Sequence, residues 1–500
     1  MSDNVHRLPV REKIGYALGD VATNFFFQSM ILYQNRYYTD TVGLSAAVVG
    51  WMFLFVRFAD AFFDPVIGAL ADRTNTRSGK FRPWILATAA PFGVVFWLVY
   101  VTPPLGAHGR LVYAIVTYLL VMVAYSANNT PYSALMGVMT PDASERTNIA
   151  RYRFVAALIG QFIIQSLALP LVAKFGGGST TSAKGWAFTM AIFGAIMIVA
   201  NIIVFTATKE RVLPPPEQKP SIREDVKNVW GCKPWLAMFI LTLMAFTMLV
   251  VRGSSLNYLF AYYMDQGAMK NFLEGIGLGT VPGAALSGGQ TVLDWLGLLI
   301  RPDMKDASGV AFSFFNVLGS VIQILFILMS KPLADRFGKK AVFITGVTVT
   351  MVATLLVFFV PPTGMMDMVW LSVLWAVGWG PTVPLLWVMI ADVADYSEWK
   401  SGRRATGFMF AGILFALKAG LGIGGALAGW IMKAYGYVPN QPQTPHALLG
   451  IRLGATLYAT IPLAIVLICL VVYPITKALN KQIEDELAER RKKFAPAPAA

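Results

Sequence analysis

Leu70-Ala71-Asp72-Arg73 recurs as Leu333-Ala334-Asp335-Arg336, each time at the end of a long apolar run and each time followed by more basic residues. Around these two copies the chain divides into apolar runs near 14–38, 45–71, 82–102, 110–138, 150–173, 185–207, 234–264, 309–332, 340–361, 367–391, 405–432 and 449–476. Each is close to the ~20 residues a helix needs to cross ~30 Å of hydrocarbon, so twelve transmembrane helices are predicted. The tetrapeptide follows the second span and then the eighth. Six spans lie between, an even number, so both copies face the same side. That placement fits two six-helix halves related by an axis along the membrane normal. The expected divisions are an N-terminal half over 1–207, a linker over 208–233 containing Pro214-Pro215-Pro216, a C-terminal half over 234–476 and a charged tail over 477–500.

Composition agrees with this reading. Of 500 residues, 56% are hydrophobic and 14% charged, against roughly 45–50% and roughly 25% in soluble domains. An all-α membrane protein is therefore expected and a soluble enzyme excluded. The three histidines (His6, His108, His446) and two cysteines (Cys232, Cys469) are too scattered for a zinc, haem or thiol-redox site, and no resident cofactor is expected. No nucleophile and base pair within the spans points to an enzyme. The net charge of +14 could indicate nucleic acid in a soluble domain, but Lys and Arg concentrate on alternate loops. This is the positive-inside pattern, so the charge is read as topology. It places both termini in the cytoplasm, with membrane lipid and not nucleic acid as the surrounding partner. Met1 to Lys13 is polar and the helix after it is long, so no cleavable signal is expected. Residues 265–308 form one long outer segment, either a lid or a stretch lying on the membrane surface.

Charge inside a span costs at least ~2.5–3.5 kcal/mol at its centre, so each intramembrane ionisable group is a functional candidate. Asp20 follows Gly15-Tyr16-Ala17-Leu18-Gly19 in the first span, where small residues let a ligand or another helix approach; it suits either a ligand contact or a pair with a loop arginine. Arg57, Asp60 and Asp64 fall at spacings of three and four, on one face of the second span. Two carboxylates there repel unless a proton, a cation or a basic side chain neutralises them. A hard cation prefers oxygen ligands, so Asp60 and Asp64 are candidates for a monovalent cation, Na⁺ or H⁺; a structural ion pair with Arg57 is the alternative. Asn128-Asn129-Thr130-Pro131-Tyr132-Ser133 interrupts the fourth span and Gly380-Pro381-Thr382-Val383-Pro384 the tenth, six spans on. Paired interruptions point to a binding site between the halves, with interhelical hydrogen bonding as the rival reading. Arg153 enters the fifth span. Lys418 stands alone in the eleventh, where it either snorkels or takes its counter-charge from acids on other helices.

These residues, together with Arg77-Ser78-Gly79-Lys80-Phe81-Arg82-Pro83, Asp392-Val393-Ala394-Asp395-Tyr396-Ser397-Glu398 and Gly436-Tyr437-Val438-Pro439-Asn440, give a chain that resembles the glycoside-pentoside-hexuronide:cation symporters of the major facilitator superfamily. The resemblance covers nearly the whole chain. It implies that Asp60 and Asp64 hold the coupling cation and that Asp20 binds sugar hydroxyls. It further implies that Arg153 lies near the sugar and that Lys418 sits between the cation and sugar sites. Asn129 stands where melibiose permease has a second sugar-binding aspartate, and Ser133 where it has a sugar-stacking tryptophan. Asn129-Thr130-Pro131-Tyr132 looks more like the glucuronide permease branch. The expected function is cation-coupled symport of a glycoside, pentoside or hexuronide across the plasma (inner) membrane by alternating access, with Asn129 and Tyr132 also at the substrate and Arg57 with Lys418 in coupling. The alternative is a cation-coupled carrier of an amphipathic substrate such as a lysolipid.

Overall fold

The computed structural model describes residues 8–74, 76–140, 143–211, 231–280, 287–300, 307–401 and 406–494. Its crossing helices are α1 Val10–Leu32, α2 Ala46–Arg73, α3 Arg82–Val99, α4 Ala107–Met139, α5 Ala143–Phe175 and α6 Ala183–Ala207 in the first half. The second half has α7 Lys233–Tyr258, α8 Ser308–Leu328, α9 Lys339–Leu356, α10 Met365–Ser401, α11 Thr406–Ala434 and α12, which runs Pro445–Ala455 and Leu457–Val472 either side of a break at Thr456. Most of the expected linker, residues 212–230, lies outside the described residues.

Among the described residues, ten helices are long and apolar enough to cross a membrane by composition alone. Helix α1, continuous over 23 residues, falls short because it carries Glu12, Lys13, Asp20, Asn24 and Gln28. Helix α2 is continuous over 28 residues and brings Arg57, Asp60 and Asp64 into an otherwise apolar run. Leu328, Phe359, Ile468 and Val471 point outward, as side chains facing lipid should.

Two expectations change. The prolines expected to interrupt the fourth and tenth spans lie inside unbroken helices, Pro131 in α4 and Pro381 and Pro384 in α10. Packing against neighbouring helices holds the backbone there; Thr382, 1% exposed, also turns its hydroxyl back to donate to Trp379 O at 2.7 Å. Helix α10 also runs ten residues past its expected end at 391, and at 37 residues it is about 55 Å long, longer than hydrocarbon requires. Its extension carries Asp392, held by Lys339 Nζ at 2.8 and 2.7 Å.

The halves meet mainly along α2–α11 and α5–α8. Gly422 and Gly429 explain the closeness of the first pair. A Cβ on Gly429 would lie 2.4 Å from Ala46 O and one on Gly422 2.7 Å from Arg57 Cβ, so only glycine allows this approach. At the end of the bundle away from the termini, the halves are tied together around Asp40, which is 4% exposed. Tyr262 OH donates to Asp40 Oδ2 at 2.7 Å, Tyr437 OH donates to Oδ1, and Asn440 Nδ2 donates to Asp40 O at 2.6 Å. Gly436 (φ 75°) and Asn440 (φ 57°) bend the chain so that Tyr437 and Asn440 can both reach. Arg36 reinforces the clasp, donating to Asn257 Oδ1 at 3.0 Å and Thr180 Oγ1 at 3.2 Å. At the terminal end, the described ion pairs stay within one half: Lys13–Glu145 at 2.6 Å, Arg211–Glu12 at 2.7 Å, Lys339–Asp392 at 2.7 Å. Among the described residues, the ties between the halves thus gather at the far end of the bundle.

The segment after α7 docks on the far end of the bundle. Met269, Leu273, Leu299 and Ile300 are buried, and Lys174 Nζ of α5 donates to the carbonyls of Asp294 and Trp295 at 2.7 Å each. Its glycine-rich middle, 281–286, and residues 301–306 lie outside the described residues.

Candidate functional site

The α2–α11 seam sets up the first centre. Spacing of four puts Asp60 and Asp64 one turn apart on α2, and Lys418, a turn before Gly422 on α11, reaches between them: Nζ lies 3.0 Å from Asp60 Oδ2 and 2.5 Å from Asp64 Oδ2. Ser126 Oγ of α4 donates to Asp60 Oδ1 at 2.9 Å, and Arg57 Nη1 stands 3.8 Å from Asp60 Oδ2 while its Nε donates to Tyr118 OH at 3.2 Å. Asp60 has no exposure, whereas the Asp64 side chain is 36% exposed, so any exchange with water enters at Asp64. Lys418 Nζ and Asp60 Oδ2 touch at ion-pair distance but without hydrogen-bond alignment. The pair is held by charge more than by direction, a contact that a small cation can replace.

A second centre joins α1, α4 and α5. Arg153 grips Asp20 with both arms, Nε to Oδ2 at 2.8 Å and Nη2 to Oδ1 at 3.0 Å, and Tyr132 OH donates to Asp20 Oδ2 at 2.6 Å. Tyr132 stacks on Tyr16 with centroids 4.7 Å apart, and the Arg153 guanidinium lies over both rings, 4.8 and 5.5 Å from the centroids. Gly19 makes room: a Cβ there would be 2.3 Å from the Tyr132 ring. Asp20 thus has an arginine partner, though on a neighbouring helix and not a loop. Asn129 Nδ2 donates to Tyr125 OH at 3.3 Å, and Tyr125 in turn faces Lys418, 5.8 Å from its ring centroid. Asn129 therefore leans toward the first centre.

Between the halves lies a cavity of about 440 Å³, within the ~300–1,000 Å³ typical of small-molecule sites. Its wall includes Thr23, Asn24, Gln28, Gln161 and Gln165 from the first half and Arg252, Asn316, Gln323, Trp375 and Trp379 from the second. Asp20, Asn129, Tyr132 and Arg153 are not in that wall; Asn24, a turn beyond Asp20 and donating to its carbonyl at 2.9 Å, is. Leu417 of the wall is the neighbour of Lys418. Amides and hydroxyls offer paired donors and acceptors to sugar hydroxyls, and the stacked indoles of Trp375 and Trp379, 5.8 Å apart, offer an apolar face. Ser133, by contrast, is exposed and outside the wall. The indole surface comes from the other half, in the run 375–379 just before Gly380-Pro381. Sequence reasoning missed the amide set because its members lie on different helices. The turn periodicity of Asn24 and Gln28 after Asp20, and of Gln161 and Gln165 on α5, is the signal that could have found it.

Clasped halves, a charged centre on their seam and, between them, a largely apolar cavity studded with amides are the parts of a carrier. The chain belongs to the MFS/sugar transport protein family. That family's model matches residues 15–293 and 303–477. Among curated relatives, the chain is 34% identical to the inner membrane symporter YicJ of Escherichia coli (strain K12), covering 97% of this chain and 96% of that one. It is 31% identical to the isoprimeverose transporter of Lactiplantibacillus pentosus, covering 96% and 91%. The glucuronide carrier protein homolog of Escherichia coli (strain K12) is 30% identical, covering 97% of each. In fold the chain is similar to the solved nucleoside transporter NupG, at a TM-score of 0.61 and 13% identity over 93% of this chain and 99% of that one. It is likewise similar to a D-xylose-proton symporter, at 0.58 and 13% over 91% and 97%.

Proposed function

We propose that this carrier moves a glycoside, pentoside or hexuronide inward together with one monovalent cation, Na⁺ or H⁺, in a plasma (inner) membrane with both termini cytoplasmic. The observation that carries the reading is Lys418 held between Asp60 and Asp64 across the seam of the two halves, beside the central cavity. In this reading 1–207 and 234–476 are the moving halves, 208–233 their linker and 477–500 a cytoplasmic tail, and the clasp around Asp40 marks an inward-open state.

The chemistry follows from charge balance. With no cation bound, Lys418 offsets the two carboxylates, and Arg57 backs Asp60. A cation entering at the half-exposed Asp64 takes over that role and frees the ammonium, which loosens α11 from α2. Coupling arises because the halves rearrange without stranded charge only when the site is compensated in both orientations. Asp20, drawn from Arg153 by the arriving sugar, turns its carboxylate to sugar hydroxyls, with Tyr132 and Arg153 shaping that end of the site. The protein acts as a carrier and not as an enzyme. A putative glycoside/cation symporter, the isoprimeverose transporter and the glucuronide carrier homolog are among the relatives, which favours the glycoside reading over the lysolipid alternative.

Counterflow in reconstituted vesicles with a panel of labelled glycosides, under an imposed Na⁺ gradient or pH gradient, tests this. One glycoside accumulating with one of the two gradients is expected. Accumulation of none, with uptake of lysolipid instead, would overturn it.

A further inference from the structure

Deep in the bundle, charged groups come with partners: Asp20 with Arg153, Asp60 and Asp64 with Lys418, Arg57 beside Asp60. Arg252 of α7 does not. It is 8% exposed, makes no hydrogen bond or ion pair among the described residues, and has a buried Nε without an acceptor. Its guanidinium instead lies against Trp375, whose ring centroid is 4.3 Å from the guanidinium carbon. Among the described residues it is also the one charged side chain in the wall of the central cavity. A buried, unpaired guanidinium is costly, and a cation–π contact returns only part of that cost.

We propose, building on the symport reading, that Arg252 is the specificity-determining residue of the cavity and that its partner is the carboxylate of an acidic glycoside, a uronide. The guanidinium is a rigid planar fork that matches a carboxylate with two parallel hydrogen bonds. Trp375 fixes that fork from one face and leaves its edge to the cavity. Asn316 and Gln323 on α8, and Asn24 and Gln165 across the cavity, take the ring hydroxyls. Charge balance runs the same way. An anionic sugar with one monovalent cation is a neutral cargo, so the loaded carrier crosses with Arg252 paired and the Asp60–Asp64 site filled. The empty carrier returns with Lys418 in place and Arg252 against Trp375.

The test uses full-length protein in vesicles and sugars matched except for the acid: phenyl glucuronide against phenyl glucoside, and phenyl galacturonide against phenyl galactoside. Wild type is expected to bind one uronide at least about tenfold more tightly than its neutral match, the value of one good charge-assisted pair. Arg252→Gln should erase that preference, weakening uronide binding at least about tenfold more than binding of the neutral match. Arg252→Lys, keeping the charge without the fork, should restore part of it. A wild-type preference for the neutral sugars, or equal losses for acid and neutral sugars in Arg252→Gln, would overturn the assignment while leaving glycoside symport intact. Counterflow of none of the four by wild type would overturn both readings.

Discussion

The two halves of this carrier treat charge in opposite ways. In the first half acids dominate the interior, and each is already answered, Asp20 by Arg153 and Tyr132, Asp60 and Asp64 by Lys418 reaching over from α11. In the second half the cavity wall is neutral except for Arg252, which has only an indole against it. A saturated centre can change only by exchange, one cation for another, and exchange couples. An unsaturated centre can change by addition, and addition recognises. The difference assigns energy coupling to the first half and recognition of the cargo's most distinctive group to the second, with Lys418 as the one side chain that belongs to both.

The largest effect should come from breaking the saturated centre. Asp60→Asn or Asp64→Asn removes a charged oxygen and leaves Lys418 with a single partner, so gradient-driven accumulation should fall to background while equilibrium exchange survives. Uptake against exchange in the same vesicles measures this, and wild-type accumulation by either variant would remove that residue from the cation site. Next comes Asp20→Ala. Charge-assisted hydrogen bonds to a carboxylate are worth roughly 1.5–3 kcal/mol each, so sugar affinity should drop by about tenfold or more while cation affinity holds. Calorimetric titration of sugar and cation separates the two. An unchanged sugar affinity would mean that Asp20 serves only its bond to Arg153. The smallest effect lies at the clasp, which belongs to both halves. Tyr437→Phe deletes one buried hydrogen bond to Asp40, worth roughly 1 kcal/mol, and should shift the carrier toward its outward-open form by about fivefold. Labelling of a single cysteine at the far end reads that shift, and an unchanged labelling rate would show that the clasp does not hold the state.

Much of the scaffold is legible from hydropathy, because lipid demands long apolar helices and the repeat of Leu-Ala-Asp-Arg fixes their phase. The cluster of Asp60, Asp64 and Lys418 is legible for the same reason: charge in a span is rare enough to stand out, and the acids share a helical face. Arg252 was visible too, as a charge within a span, but nothing in the sequence tells whether an arginine has a partner; that depends on which helices face it. The amides of the cavity wall are hidden for a related cause. Single glutamines and asparagines on separate helices form a site only after the halves pack. The prolines misled, since local propensity marks a break where tertiary packing keeps α4 and α10 whole.

Exchange of a cation for Lys418 between the two carboxylates is probed most directly by Lys418→Ala. Glycoside accumulation under Na⁺ and pH gradients, measured beside equilibrium exchange and expression, should show exchange retained and accumulation lost with either gradient. Lys418→Arg should do no better, since a planar guanidinium cannot stand in for a compact ammonium between two oxygens. Gradient-driven accumulation at the wild-type level in Lys418→Ala would show that Lys418 takes no part in coupling.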